Sequence, residues 1–129
     1  MSSVRNAPDL IAFYGSLLDA RVRRQVGVAD FVERLRTCTI PGRLYDRGPF
    51  PGLVPGQGRV TGALFALTDP RAIPLLDAYE ECDAEPPLFL RAAVPLIDPS
   101  TRAWVYYFNR PVGPYRRIHS GRWTRHGLP

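Results

Sequence analysis

Two short stretches of the sequence carry groups that could do chemistry. In the first, Phe13-Tyr14-Gly15-Ser16-Leu17, a glycine follows an apolar run and precedes a polar segment. A glycine at such a strand-to-helix turn leaves backbone N–H groups free to bind an anion. The second, Leu76-Asp77-Ala78-Tyr79-Glu80, ends in a carboxylate. Burial beside apolar side chains would make Glu80 a stronger base, whereas solvation at a helix end would leave it without a chemical role. The residues alone leave both interpretations open.

Several other catalytic and cofactor-binding motifs are absent. Ser16 does not lie in Gly-x-Ser-x-Gly, the nucleophile elbow of α/β-hydrolases. Gly56-Gln57-Gly58 lacks the third glycine of a dinucleotide fingerprint, and no Gly-x-x-x-x-Gly-Lys phosphate loop occurs. His119 and His126 lie in a polar tail without nearby cysteine or acidic ligands, so we interpret them as surface residues rather than zinc ligands. The sequence therefore predicts no metal site and no cofactor.

The elements that would position the two stretches follow an irregular order of strands and helices. Leu10–Tyr14 is a short apolar run ended by glycine, which predicts a buried strand. Asp19 is expected to cap a helix that runs to Val26. The pair Asp69-Pro70 predicts the start of a second helix, which ends near Glu81. Further strands are predicted at Phe31–Asp46 (one or two strands bent at Pro41-Gly42), Val60–Leu67, Phe89–Ile97 and Ala103–Phe108.

The segment Arg47–Gly56 is rich in proline and glycine, and we expect it to be irregular. Such a segment either lines a pocket or merely crosses the surface. Because strands and helices do not alternate regularly along the chain, a doubly wound parallel sheet is not expected.

Length and composition restrict the class of protein. A chain of 129 residues with 45% hydrophobic residues suits one domain, 1–129. No apolar run approaches the roughly 20 residues of a membrane span. The N-terminus lacks the pattern of a signal peptide. We therefore expect a cytoplasmic protein that does not bind membranes, with Cys38 and Cys82 as free thiols.

The positive charge of the chain comes from arginine alone. Seventeen arginines and no lysine oppose twelve acidic residues, which gives a net charge of +5. The arginines are scattered from Arg5 to Arg125, and no nucleic-acid-binding motif accompanies them. We therefore do not expect nucleic acid to be a partner.

The Tyr14-Gly15-Ser16-Leu17 turn, followed much later by Leu-Asp-x-Tyr-Glu ending at Glu80, resembles the gamma-glutamylcyclotransferase family, whose plant members are the AIG2-like proteins. The resemblance spans Leu10 to Trp123. It implies an α+β fold, a small mixed β-barrel with flanking helices at its mouth. It also implies that Glu80 is the catalytic acid/base and that Tyr14, Gly15, Ser16 and Leu17 bind the γ-glutamyl group. We expect Tyr107 either to offer a hydroxyl to this pocket or to be a core or surface tyrosine.

The reaction that this resemblance implies needs no enzyme nucleophile, metal or cofactor. In a γ-glutamyl amide, the α-amine attacks its own γ-carbonyl, closes 5-oxoproline and expels an amine or amino acid. The protein must supply a base, N–H groups for the oxyanion and a clamp that folds the substrate. We therefore expect an enzyme whose partner is a small γ-glutamyl substrate. The alternative is a non-catalytic small-molecule binding protein that keeps the pocket without turnover; no oligomeric state is predicted.

Two positions depart from the usual pattern of the family. Members often have glycine after the catalytic glutamate, where this chain has Glu81. Members often have Tyr-x-Arg on the next strand, where this chain has Phe89-Leu90-Arg91. A second carboxylate could repel Glu80 or the substrate carboxylate, and Phe89 lacks a hydroxyl. We expect Glu81 to point elsewhere on the helix turn than Glu80.

Overall fold

The computed structural model describes residues 7–124, which form six strands and two α-helices. Residues 1–6 and 125–129, which include His126, lie outside the described residues. A single 3-10 turn, Ser16–Leu18, follows the first strand. The strands are β1 (Leu10–Phe13), β2 (Val32–Asp46), β3 (Pro51–Leu67), β4 (Phe89–Pro95), β5 (Arg102–Phe108) and β6 (Arg116–Arg117), and the helices are α1 (Ala20–Val26) and α2 (Ala72–Tyr79).

All six strands belong to one mixed sheet in the order β4-β5-β1-β3-β2-β6. β1 runs parallel to β5, with Ile11 opposite Trp104, and every other neighbouring pair is antiparallel. The sheet curls into a half-barrel accompanied by the two helices. The predicted fold class, α+β with a mixed barrel-like sheet, is therefore confirmed.

Apolar side chains pack on both faces of this sheet, because successive residues of a strand point to opposite faces. On β1, Ile11 and Phe13 pack in the same cluster as Leu76 of α2, while Ala12 belongs to the other cluster with Ile40 and Leu44. Both clusters are well buried; Ile11, Leu76 and Ile40 are each 0% exposed. β1 is therefore covered on both faces, which fixes the turn at its end.

The two helices begin and end close to the predicted positions. The Asp19 side chain accepts a hydrogen bond of 2.8 Å from the Arg21 N–H, so Asp19 caps α1 as predicted. α2 begins later than Asp69-Pro70 predicted, because the Asp69 side chain accepts from the Arg71 N–H (2.9 Å) in a turn that precedes the helix. α2 ends at Tyr79, so Glu80 is its C-cap.

β2 and β3 form a long hairpin that the sequence analysis underestimated. β2 is one strand that passes through Pro41-Gly42, with a register shift between Pro41 and Arg43. The expectation that Arg47–Gly56 is irregular was wrong, since β3 begins at Pro51, which pairs with Asp46. Only the connection between those two paired residues is a tight turn, closed by the Arg47 N–H donating to the Phe50 carbonyl at 3.1 Å.

No helix within residues 7–124 has both the length and the apolar character needed to cross a membrane. Cys38 is buried, Cys82 is half-buried, and both are free thiols.

Candidate active site

The two stretches selected from the sequence face one cavity of about 310 Å³. The turn after β1 forms one wall, the C-terminal end of α2 a second, and the β2–β3 connection a third. The lining residues are Phe13, Tyr14, Gly15, Ser16, Leu17, Arg47, Phe50, Pro51, Tyr79, Glu80, Glu81, Leu88 and Phe89. The turn and the carboxylate lie more than sixty positions apart in the sequence, and the fold brings them together.

The turn after β1 presents backbone donors to the cavity. The 3-10 turn uses the Gly15 and Ser16 carbonyls, which accept from the N–H groups of Leu18 and Asp19 at 3.0 Å each. Within residues 7–124, the N–H groups of Gly15, Ser16 and Leu17 donate to no backbone acceptor. Three adjacent free N–H groups beside a cavity suit a carboxylate or an oxyanion.

Gly15 is required at this turn for space. A Cβ atom added there would lie 2.7 Å from Cγ of Pro51, a distance that real Cβ contacts do not reach. The absence of a side chain lets the β2–β3 hairpin close against the turn and form the third wall of the cavity. This is the close approach for which glycine is selected.

Glu80 is half-buried at the end of α2 and has an altered acidity. Burial raises the pKa of its carboxyl group from 4.5 to about 7; Arg47 opposes this rise, and Glu81 adds to it. Near neutral pH, both its protonated and its ionised forms are therefore populated. A group with these properties can accept a proton in one step and return it in the next.

Tyr14 and Ser16 connect the turn to the rest of the site through their side chains. The Tyr14 hydroxyl donates to the Tyr106 carbonyl at 2.7 Å. Burial and then the Glu80 carboxylate raise the pKa of Tyr14, which shows that Glu80 lies near the turn. The Ser16 Oγ and the Tyr79 hydroxyl share a hydrogen bond of 2.7 Å, in which either can donate. Ser16 thus ties the turn to α2.

A network around Asp77 holds the end of α2 in place. The Arg91 guanidinium forms a two-pronged pair with the Asp77 carboxylate, at 2.9 Å from Nε and 3.1 Å from Nη2. The Tyr106 hydroxyl donates to the same carboxylate at 2.7 Å. The guanidinium also lies 4.2 Å from the ring centre of Trp104. The Asp of Leu-Asp-x-Tyr-Glu therefore anchors the helix that carries Glu80, a positioning role that the sequence analysis missed.

Glu81 corrects an expectation about its direction. It lines the same cavity as Glu80 rather than pointing elsewhere, and its charge helps to raise the Glu80 pKa. Its φ of 55° lies in the left-handed region, which glycine adopts without strain and a residue with a Cβ does not. A glycine at this position would adopt the same backbone conformation without strain.

Tyr107 does not line the cavity, so the expectation that it offers a hydroxyl there was wrong. Its side chain packs in the cluster with Ile40 and Leu44, and its hydroxyl donates to the Pro41 carbonyl at 3.1 Å. Neighbouring residues of β5 point to opposite faces, so Tyr106 is the tyrosine on the helix side of the sheet.

The β2–β3 connection lines the cavity through Arg47, Phe50 and Pro51. Of the two alternatives for this segment, lining a pocket and merely crossing the surface, the first is therefore correct. Sequence reasoning did not single out Arg47, because nothing local distinguishes it from sixteen other arginines. Its place opposite Glu80 follows only from the long-range pairing of the hairpin.

His119 is exposed and does not line this cavity. In the part of the chain that the structure describes, no three His, Cys, Asp or Glu side chains cluster in a way that could hold a metal ion.

Comparisons with known proteins match most of the chain. The family model described as "Gamma-glutamyl cyclotransferase, AIG2-like" matches residues 11–125. The gamma-glutamylcyclotransferase family protein YtfP of Escherichia coli (strain K12) is 35% identical over 81 residues. That alignment covers 63% of this chain and 66% of the relative, so it spans just under two thirds of the curated protein.

Solved structures show the same fold. The solution NMR structure of protein ytfP from Escherichia coli superposes with a TM-score of 0.69 at 30% identity, covering 88% of this chain and 95% of that one. The crystal structure of an AIG2-like protein from Mus musculus gives a TM-score of 0.72 at 22% identity, covering 94% and 91%. The chain therefore belongs to the gamma-glutamyl cyclotransferase, AIG2-like family.

Proposed function

We propose that this protein is a cofactor-free γ-glutamyl cyclotransferase that converts a small γ-glutamyl amide into 5-oxoproline and a free amine or amino acid. The observation that carries the proposal is the pairing, in one cavity, of the Glu80 carboxylate with the free N–H groups of Gly15, Ser16 and Leu17. The reaction needs a base and an oxyanion site, and these two groups supply both. The cavity volume lies at the small end of the range for ligand sites, which suits a compact substrate.

Glu80 moves the protons in this scheme. Its carboxylate takes a proton from the α-ammonium group, and the resulting amine attacks the γ-carbonyl carbon to form the new C–N bond. Glu80 then donates this proton to the leaving nitrogen as the original amide bond breaks, and its carboxylate takes the second proton from the ring nitrogen. That proton passes to the released amine or to water, which regenerates the Glu80 carboxylate. A pKa of about 7 fits a group that must accept and donate a proton within one turnover.

The turn binds the charge that develops during the attack. As the amine adds, the γ-carbonyl oxygen becomes an oxyanion, and three backbone N–H groups can donate to it. Removing one such donor in other acyl-transfer sites costs about 10²- to 10³-fold in turnover. The Ser16 hydroxyl forms a hydrogen bond with the Tyr79 hydroxyl. It is not required as a nucleophile, because the attacking amine belongs to the substrate.

The leaving amine has room beside the cavity. A groove of about 740 Å³ shares Ser16, Phe50 and Tyr79 with the cavity and continues along α1 and α2. Its walls include Val22 and Leu75, and Leu75 is 38% exposed. We infer that a leaving group with an apolar side chain binds here better than a small or charged one, because it covers this apolar surface.

We further infer a cytoplasmic location, which the free thiols of Cys38 and Cys82 support. Nucleic acid is not proposed as a partner, since the excess of arginine is spread over the chain.

The proposal is tested by incubating the purified protein with a panel of γ-glutamyl amines and γ-glutamyl amino acids and measuring 5-oxoproline. Wild type should release it, Glu80→Gln should be about 10²- to 10⁴-fold slower, and Glu81→Gln should retain most activity. Circular dichroism controls for the fold. Equal activity in wild type and Glu80→Gln would contradict the role of Glu80. If none of the three proteins turns over while all of them still bind the ligand, the non-catalytic binding protein would be favoured.

A further inference from the structure

Arg47 brings a positive charge to the cavity, and its guanidinium is partly buried without an acidic partner. Among the described residues that line the cavity, it carries the only positive charge. Its Nε atom is buried and has no hydrogen-bond partner within residues 7–124. No carboxylate of those residues lies within 4.0 Å of its guanidinium. A buried donor on a charged group that lacks a partner is costly, so an anion that enters the cavity would be stabilised there.

The side chain of Arg47 is held in this position by packing rather than by an acidic partner. Its guanidinium lies 4.3 Å from the ring centre of Phe108 and 5.6 Å from that of Phe89. Gly52 gives its stem room, since a Cβ at Gly52 would lie 2.9 Å from Cδ of Arg47. Stacking on aromatic rings fixes the plane of a guanidinium and leaves its edge free for a planar anion such as a carboxylate.

Arg47 and Glu80 share the cavity without forming an ion pair. Both residues line the same cavity, but no oxygen of Glu80 lies within 4.0 Å of the Arg47 guanidinium, so the two groups do not neutralise each other by contact. The charge of Arg47 nevertheless lowers the Glu80 pKa. A cation and an anion held apart in one small cavity are complementary to a ligand that carries both charges on one carbon. The α-carbon of a γ-glutamyl group carries an ammonium and a carboxylate.

We propose that Arg47 binds the α-carboxylate of the substrate and so restricts the site to γ-glutamyl compounds, while Glu80 faces the α-ammonium group and the Tyr14–Leu17 turn faces the γ-carbonyl. This inference rests on the proposed function. It assigns the clamp that folds the substrate: two fixed points at the α-carbon and one at the carbonyl bring the amine to the carbon that it attacks. A bidentate arginine–carboxylate pair provides that geometry.

The test compares two substrates that differ only at the α-carbon. One is the γ-glutamyl derivative of an amine that wild type accepts, which yields 5-oxoproline. The other is the 4-aminobutanoyl derivative of the same amine, which lacks the carboxylate and yields 2-pyrrolidinone. Wild type should prefer the first by about 30-fold or more in kcat/KM, the scale expected for losing one partner of a buried charged pair.

Arg47→Met should abolish this preference, because it should raise KM for the γ-glutamyl substrate and lower its kcat/KM much more than that of the other substrate, which has no carboxylate to bind. Arg43→Met is the matched control, because Arg43 also has a buried Nε without a partner but does not line the cavity. It should retain the full preference. Arg47→Lys keeps the charge and most of the stem, and it should retain part of the preference even if Arg47→Met folds poorly.

A folded Arg47→Met or Arg47→Lys variant with the wild-type preference would overturn the inference while the proposed function stood. Binding of 5-oxoproline and 2-pyrrolidinone separates the two claims when turnover is absent. Stronger binding of 5-oxoproline by wild type, lost in Arg47→Met and kept in Arg43→Met, would support Arg47 as a carboxylate site even for a protein that does not turn over. Equal binding of both compounds by wild type would overturn the inference.

Discussion

Replacing Glu80 by glutamine should make the protein more stable at alkaline pH while it removes activity. Burial raises the pKa of the Glu80 carboxyl from 4.5 to about 7, so between these pH values the folded protein holds a proton that the unfolded chain has released. The contribution of Glu80 to stability therefore falls as pH rises through this window and changes no further above it. At about 1.36 kcal/mol per pKa unit, the fall amounts to about 3 kcal/mol. Glutamine does not ionise, so the variant lacks this fall.

The assay is urea unfolding of wild type and Glu80→Gln at pH 4 and at pH 8. The difference in unfolding free energy between the two proteins should shift by about 3 kcal/mol in favour of the variant on going from pH 4 to pH 8. Because the comparison is between two pH values, any constant effect of the amide on packing cancels. Glu33→Gln, at an exposed site on β2, is the matched control and should show no such shift. A difference that does not change with pH would refute a raised Glu80 pKa.

Four further predictions concern the turn, Glu81, the leaving group and nucleic acid. Ser16→Ala should lose one hydrogen bond and about 1 kcal/mol of stability but keep most of its turnover, whereas Gly15→Val should disrupt the site because its Cβ has no room. Measurements of 5-oxoproline release and of thermal unfolding distinguish the two variants. Loss of turnover in a folded Ser16→Ala variant would mean that Ser16 is a nucleophile after all. Glu81→Gly should be more stable than wild type by up to about 1 kcal/mol, because glycine adopts the left-handed backbone conformation at this position without strain. It should also lower the Glu80 pKa, because it removes the charge of Glu81. Urea unfolding measures the stability, and a less stable variant would contradict the prediction. The kcat/KM for γ-glutamyl-leucine should exceed that for γ-glutamyl-glycine by about tenfold, and Leu75→Asp should remove most of the difference; equal values in wild type would exclude the groove as the leaving-group site. Nucleic acid should bind weakly and without sequence preference, and the complex should dissociate with added salt, so a salt-resistant, selective complex in a gel assay would argue for a different role.

The parts of the fold that sequence predicted well are those fixed by local signals. β1 and α1 were predicted almost to the residue, because an apolar run ended by Gly15 and a helix capped by Asp19 need no distant partner. The β2–β3 hairpin was underestimated because its prolines and glycines are locally unfavourable for a strand. Val54 pairs with Arg43, but the next pair joins Pro41 to Arg59, so the intervening prolyl and glycyl residues of β3 lie in an irregularity between paired segments.

The residues of the site also separate into those that local motifs predict and those that only contacts between distant segments reveal. Glu80 and the Tyr14–Leu17 turn could be selected from their motifs, and the structure brings them to one cavity. The sequence analysis assigned Tyr107 to the pocket because predicting a strand does not fix which of the adjacent residues Tyr106 and Tyr107 faces the site. A shift of one residue along a strand moves a side chain to the opposite face of the sheet. Arg47 and the Asp77–Arg91 pair could not be found, since each acts through contacts between elements distant in sequence.

The most direct test of the central claim, that Glu80 is the base, is the pH dependence of kcat/KM for 5-oxoproline release. This parameter reports the ionisation of groups in the free enzyme and the free substrate. With Glu80 as the base, kcat/KM should rise with pH and approach its upper limit through a midpoint near 7, and Glu80→Gln should show no such midpoint at its much lower rate. A wild-type midpoint near 4.5, or the same profile and rate in Glu80→Gln, would contradict the account.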